Sequence, residues 1–309
     1  MNIAKALLCA SITCLMLLAP DSFAQKSAQA SAGPPARKTI VDVPMLFNGP
    51  MPAVEVLVNG KGPFLFTIDT GARGQARADQ TLAARLSLQP SGKALAGDGS
   101  GINSREVDIV KLDSITLGGA QFHNVEAIMR DYNRMSPPNA PHIDGILGFN
   151  LFADYLLTLD YVGKRVRLEQ GELPKADGRE ILNFQSADGT PTVELQVGAL
   201  KVNANIDSGN MRSELTLPSA MIEKLSLAAP PKVVGRARTT SNEFEIKEAA
   251  LNDSLHLGGY EIAGPTIIFA DIFKDANIGS RLLKNFVLTF DQKNHRVRLI
   301  RQNSIPANP

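Results

Sequence analysis

The feature that most constrains this chain is an internal repeat. Phe64-Leu65-Phe66-Thr67-Ile68-Asp69-Thr70-Gly71-Ala72 is an apolar, β-branched and aromatic run that ends in a carboxylate, a hydroxyl and a glycine. That is the pattern of a buried strand breaking into a tight turn. Ala204-Asn205-Ile206-Asp207-Ser208-Gly209-Asn210 repeats it far down the same chain. An aspartate at the end of a buried strand is costly unless its desolvation is compensated. A following glycine, with no Cβ, lets backbone N–H groups approach the carboxylate closely.

Other landmarks recur in the same order. Ala83-Ala84-Arg85-Leu86-Ser87-Leu88 is answered by Ile222-Glu223-Lys224-Leu225-Ser226-Leu227, and Leu112 to Gly119 by Asn252 to Gly259. Each half closes alike: Leu157-Thr158-Leu159-Asp160 with Arg165-Val166-Arg167-Leu168, then Leu288-Thr289-Phe290-Asp291 with Arg296-Val297-Arg298-Leu299. The repeat predicts one lobe over residues 39–171, a linker at 172–178 and a second lobe at 179–303. Two such lobes facing each other form a pseudo-dimer within one chain, which predicts a monomer.

Within this frame the fold class is all-β with a few short helices. Strands are expected at Thr39 to Val43 and Val54 to Val58, with a turn at Asn59-Gly60-Lys61-Gly62 feeding the Asp69 strand. Glu106 to Val110 reads as one strand, and Ser114 to Leu117, a Gly118-Gly119 turn and Phe122 to Met129 as a hairpin after it. Leu82, Ala83 and Leu86 share one face of a helix predicted over Ala78 to Leu88, and a short helix is expected near Leu151. Met221 and Leu225 read as a second core-facing helix.

The 309 residues carry a formal net charge of +1, with no basic excess for nucleic acid and no block of like charge. Lys5, the apolar stretch Ala6 to Leu18 and the small residues around Ser22-Phe23-Ala24 have the layout of a signal peptide over residues 1–24, cleaved after Ala24. The apolar run is short for a membrane span. Residues 25–38, rich in Ala, Ser, Gly and Pro, read as a disordered lead-in. Cys9 and Cys14 both sit in the signal, so the mature chain has neither disulfide nor thiol nucleophile. The expectation is an exported, periplasmic or secreted protein without stable membrane insertion.

His123, His142, His256 and His295 never fall at metal-ligand spacing, and neither a phosphate loop nor a Gly-x-Ser-x-Gly elbow is present. Asp98-Gly99-Ser100 with Asn103 and Glu106 does not fit a calcium loop. No metal and no cofactor are expected.

The paired motifs resemble those of the pepsin-like and retropepsin-like aspartic peptidases, and more narrowly the bacterial exported proteins of the retropepsin-like group. Asp69-Thr70-Gly71-Ala72 matches the first motif, and Asp207-Ser208-Gly209 the second tripeptide, with Asn210 where a small or hydroxyl residue is usual. Ile146-Leu147-Gly148 matches the hydrophobic-hydrophobic-glycine element that backs the active-site turn, and Asn277-Ile278-Gly279 keeps its glycine and one apolar residue. The resemblance implies a bilobal acid-protease-like fold, with two β-barrel lobes flanking a cleft. It implies Asp69 and Asp207 as a catalytic dyad, Thr70 and Ser208 bonded across the lobes, and Gly71 and Gly209 offering N–H groups to the carboxylates. The loop from Gly97 to Ser104, with Gly97, Asp98, Gly99 and Ser100 at its tip, falls where the family carries a flap over substrate, here without a tyrosine.

Such a chain is expected to hydrolyse peptide bonds in peptide or protein substrates, two carboxyls sharing one proton to activate water. The departures at Asn210 and Asn277 favour an alternative, a non-catalytic exported peptide-binding protein on the same fold. A third reading is an envelope protein whose aspartates merely cap turns. Arg73 and Arg212, just past their glycines, are expected to face solvent. If they turned inward they would favour the ionised dyad or select acidic substrate groups.

Overall fold

The computed structural model describes residues 38–97, 100, 102–134, 139–239 and 242–301. The signal peptide and all of the lead-in except Lys38 lie outside the described residues. Lys38 itself opens a strand, Lys38–Pro44.

The described residues are mostly β, built as three sheets. In an eight-stranded sheet, Lys61–Asp69 runs antiparallel to Met51–Val58 and parallel to Gly145–Gly148, with Asp69 opposite Gly148. Ala76–Asp79 pairs antiparallel on the far side of Gly145–Gly148. In a nine-stranded sheet the same local topology recurs. Leu200–Asp207 lies parallel to Ala276–Gly279 with Asp207 opposite Gly279, and Leu215–Leu217 pairs antiparallel beyond it. The two strand-end aspartates thus sit at equivalent positions in two sheets.

The third sheet takes three strands from each half of the chain. Lys38–Pro44, Arg165–Gln170 and Leu156–Asp160 are followed in order by Phe286–Asp291, Arg296–Arg301 and Ile181–Asn183. At its centre Thr158 lies opposite Thr289, and their hydroxyls are 2.9 Å apart. The sequence expectation gave each half its own closing strand pair; the structure joins the two pairs edge to edge. Leu156–Asp160 and Phe286–Asp291 are buried along their whole length, their threonines and closing aspartates included. Phe149 continues the join, packing edge-on to Phe290 at 5.3 Å and Phe184 at 6.0 Å. Each such fully buried aromatic or aliphatic side chain contributes about 1.5–3 kcal/mol.

Three local expectations need correction. The helix expected over Ala78 to Leu88 is Gln80–Arg85, because Ala78 and Asp79 still belong to a strand. Asp79 caps it, accepting from the Thr81 N–H at 2.9 Å. Glu106 to Val110 and Ser114 to Leu117 form one long strand, Arg105–Leu117, paired from Ile109 to Leu117 with Ala120–Arg130 and over its first residues with Pro90–Ala96. The stretch around Met221 is a 3₁₀ turn, Ser219–Lys224, with no fully buried residue; Met221, Ile222 and Leu225 cover the core from outside. It lacks a side-chain cap, and Leu225 is already extended, so there is too little helix to form a buried face.

Candidate active site

Each aspartate is held first by its own turn. The Gly71 N–H donates to Asp69 Oδ1 at 2.9 Å, and the Gly209 N–H to Asp207 Oδ1 at 2.8 Å. Asp207 Oδ1 also accepts from the Asn210 N–H at 3.0 Å. The two turns lie against each other, each glycine under the opposite carboxyl. A Cβ on Gly71 would fall 2.5 Å from Asp207 Cγ, and one on Gly209 would fall 2.4 Å from Asp69 Cγ. No side chain fits at either position.

Beneath the carboxyls, Thr70 and Ser208 are fully buried and bond crosswise. The Thr70 N–H donates to Ser208 Oγ at 2.9 Å and the Ser208 N–H to Thr70 Oγ1 at 3.0 Å. The Thr70 hydroxyl then donates to the Ile206 carbonyl at 2.6 Å, and the Ser208 hydroxyl to the Ile68 carbonyl at 2.8 Å. Gly148 and Gly279 back the turns: the Phe149 N–H reaches the Ala72 carbonyl at 3.1 Å, and the Ser280 N–H the Asn210 carbonyl at 2.8 Å. The structure therefore brings together Asp69, Thr70, Gly71, Asp207, Ser208 and Gly209.

The two carboxyls have different neighbours. Asn277 Nδ2 donates to Asp207 Oδ2 at 2.8 Å, and Asn277 Oδ1 accepts from Asn210 Nδ2 at 2.7 Å. The two residues that depart from the family motif thus form one network ending on Asp207. On the other side, Arg77 Nη1 lies 3.7 Å from Asp69 Oδ2. Strand register explains the placement: Arg77 stands opposite Ile146 in one half, Thr216 opposite Asn277 in the other. Burial first, and the Asp69 charge second, push Asp207 up to about 7, against the hydrogen bonds from Asn277 and Gly209. Tyr132 is raised to about 12, mainly by burial, against the charges of Arg77 and Arg130.

Sequence reasoning passed over Arg77, which is eight positions past Asp69 and returns to it only through strand pairing with Ile146. Arg73 instead makes an exposed ion pair with Asp188 at 2.6 Å. The Arg212 side chain lines a surface pocket with Glu214, Glu248 and Arg281.

Of the expected flap residues, Asp98 and Gly99 lie outside the described residues. Gly97 and Ser100 lie at the tip of the hairpin formed by Pro90–Ala96 and Arg105–Leu117. A second hairpin, Lys232–Arg238 with Glu243–Ala250, was not anticipated. The tips touch: Asn242 Nδ2 donates to the Ile102 carbonyl at 3.0 Å and to Ser100 Oγ at 3.3 Å, and Asn103 Nδ2 donates to Asn242 Oδ1 at 2.5 Å.

Among the described residues no three of His, Cys, Asp and Glu are grouped as metal ligands. His295 stacks on Phe184 and His142 lies 2.9 Å from the Thr81 hydroxyl. Among the described residues no helix is long and apolar enough to cross a membrane.

Residues 54–151 match the family described as aspartyl protease, and this stretch is a domain of that family. The match contains Asp69-Thr70-Gly71 and Ile146-Leu147-Gly148. No curated protein matches the chain.

Proposed function

We propose that the protein is an aspartic endopeptidase whose catalytic pair is Asp69 and Asp207. The observation that carries this reading is the crosswise bonding of Thr70 and Ser208 beneath two carboxyls, each seated over the other turn's glycine. The aspartyl protease match over residues 54–151 supports it from the first half.

Two interacting carboxyls hold one proton between them over a range of pH, and their ionisations belong to the pair. The ionised member takes a proton from a water as its oxygen attacks the scissile carbonyl carbon. The protonated member gives its proton to the carbonyl oxygen. In the resulting diol, one hydroxyl returns a proton to the second carboxylate while the first carboxyl protonates the amine, and the C–N bond breaks. General acid–base assistance supplies about 10²–10⁴-fold; positioning and the preorganised turns supply the remainder. An extended peptide would lie beneath the two hairpin tips, on the carboxyls. The N-terminal sequence supports an exported, periplasmic or secreted location.

The peptide-binder alternative rested on Asn210 and Asn277, and both are bonded into the Asp207 network. A mixed peptide library incubated with the purified protein from acid to neutral pH tests the reading, with Asp69→Asn and Asp207→Asn alongside. Loss of cleavage by about 10³-fold or more in each variant is expected. No cleavage by wild type at any pH, with peptides retained equally by all three proteins, would overturn it in favour of the binder.

A further inference from the structure

The two halves repeat one another closely at the carboxyls, yet two equivalent pairs of positions differ in chemistry. Arg77 corresponds to Thr216, and Asn277 to Ile146, by the register each holds within its own half. Among the described residues Asp69 therefore faces a guanidinium at 3.7 Å and no side-chain amide, while Asp207 faces an amide at 2.8 Å. Thr216 carries no charge, and its hydroxyl is engaged by Ser213 at 2.8 Å.

We infer that Arg77 and Asn277 are positioning residues that make the carboxyls unequal, so that Asp69 keeps the negative charge and takes the water proton while Asp207 is the acid that protonates the substrate carbonyl. This rests on the peptidase reading.

The physical argument is a comparison of the two surroundings. A full positive charge within ion-pair reach favours the ionised form strongly. A neutral amide fixes the orientation of a carboxyl and biases its protonation less. Asp207 is also the more enclosed group: its side chain meets the Gly209, Asn210 and Asn277 donors and is 7 % exposed as a residue, whereas the Asp69 side chain is 19 % exposed. Ionising the enclosed member costs more hydration. The other titratable groups around the pair do not reverse this. Tyr132 and Tyr161 are both held neutral by burial, Arg130 lies on the Arg77 side, and Asp79 is satisfied by Thr81 and Tyr132. In the reaction, Asp69 ends the first step protonated and Asp207 ionised; breakdown of the diol returns both to their starting states.

The test uses the whole protein with Arg77→Thr, Arg77→Lys and Asn277→Ile, the Thr and Ile being what the opposite half carries. Carbon resonances of labelled aspartate carboxyls, assigned with Asp69→Asn and Asp207→Asn, are followed with pH. In wild type the Asp207 resonance should lose its proton at the higher pH, and Arg77→Thr should narrow the gap between the pair. The acid limb of kcat/KM should move up by about one pH unit in Arg77→Thr and hardly in Arg77→Lys, with KM changed less than about twofold. Asn277→Ile should lower kcat by about tenfold without raising KM, as lost positioning does.

A proton resting on Asp69, an unmoved profile in Arg77→Thr, or a rise in KM alone would overturn the inference. The last outcome would make Arg77 a substrate contact. Should wild type cleave no peptide, the peptidase reading fails, while the carboxyl resonances still decide where the proton rests.

Discussion

Thr70 and Ser208, fully buried and far apart in sequence, each accept the other's backbone N–H through a side-chain hydroxyl, at 2.9 and 3.0 Å. Neither half can satisfy its own turn alone. The seating of the two carboxyls therefore depends on bonds that, beside the shared central sheet, also tie the halves together.

Thr70→Val keeps the shape but strands the Ser208 N–H and the Ile206 carbonyl. A buried unsatisfied partner costs about 1–3 kcal/mol, so the urea midpoint should fall by that equivalent, with kcat/KM reduced at least tenfold. Thr70→Ser should retain most of both.

The raised ionisation of Asp207 gives the fold a pH signature. An unfolded aspartate titrates at about 4, and Asp207 is raised to about 7 in the folded protein. Between those values the folded state holds a proton that the unfolded chain has released, so this group's contribution to stability falls as pH rises through the window. Asp207→Asn should be more resistant to urea than wild type at pH 8, and that advantage should shrink as pH falls toward 4. A constant difference across the range would count against the assignment.

Gly71→Ala and Gly209→Ala place a methyl within 2.5 Å of the opposite aspartate's Cγ. The carboxyl must move, and displacement on the ångström scale costs about 10²-fold in rate. Overpacking adds about 1–3 kcal/mol of destabilisation. Steady-state kinetics and thermal melts on both variants would check this, and the two should behave alike.

Asn242→Ala removes the amide that joins the hairpin tips through Ile102 and Ser100. Asn242 is half-buried and its amide is hydrogen-bonded to the neighbouring tip, so stability should fall by about 0.5–1.5 kcal/mol. Protease nicking near the tips should become faster, and on the peptidase reading KM should rise, because joined tips would hold a bound peptide more firmly than separated ones. Unchanged nicking would mean that the tip contact is incidental.

The sequence by itself determined what is local or periodic. The apolar runs ending at Asp69 and Asp207, the turn at Asn59-Gly60 and the second copy of each landmark were legible because strand patterning and turn chemistry act over a few residues. Those signals also exposed the resemblance, and with it six residues that the structure assembles around the two carboxyls. Only tertiary structure decided what depends on strand pairing. The shared central sheet through Thr158 and Thr289, the approach of Arg77 to Asp69, the Asn210–Asn277–Asp207 network and the meeting of Asn103 with Asn242 all join residues whose separation along the chain says nothing of their distance. Pairing register returns position 77 to position 69, and an amide that reads as a lapse in an apolar motif becomes a donor to a buried carboxyl once parallel strands set it there.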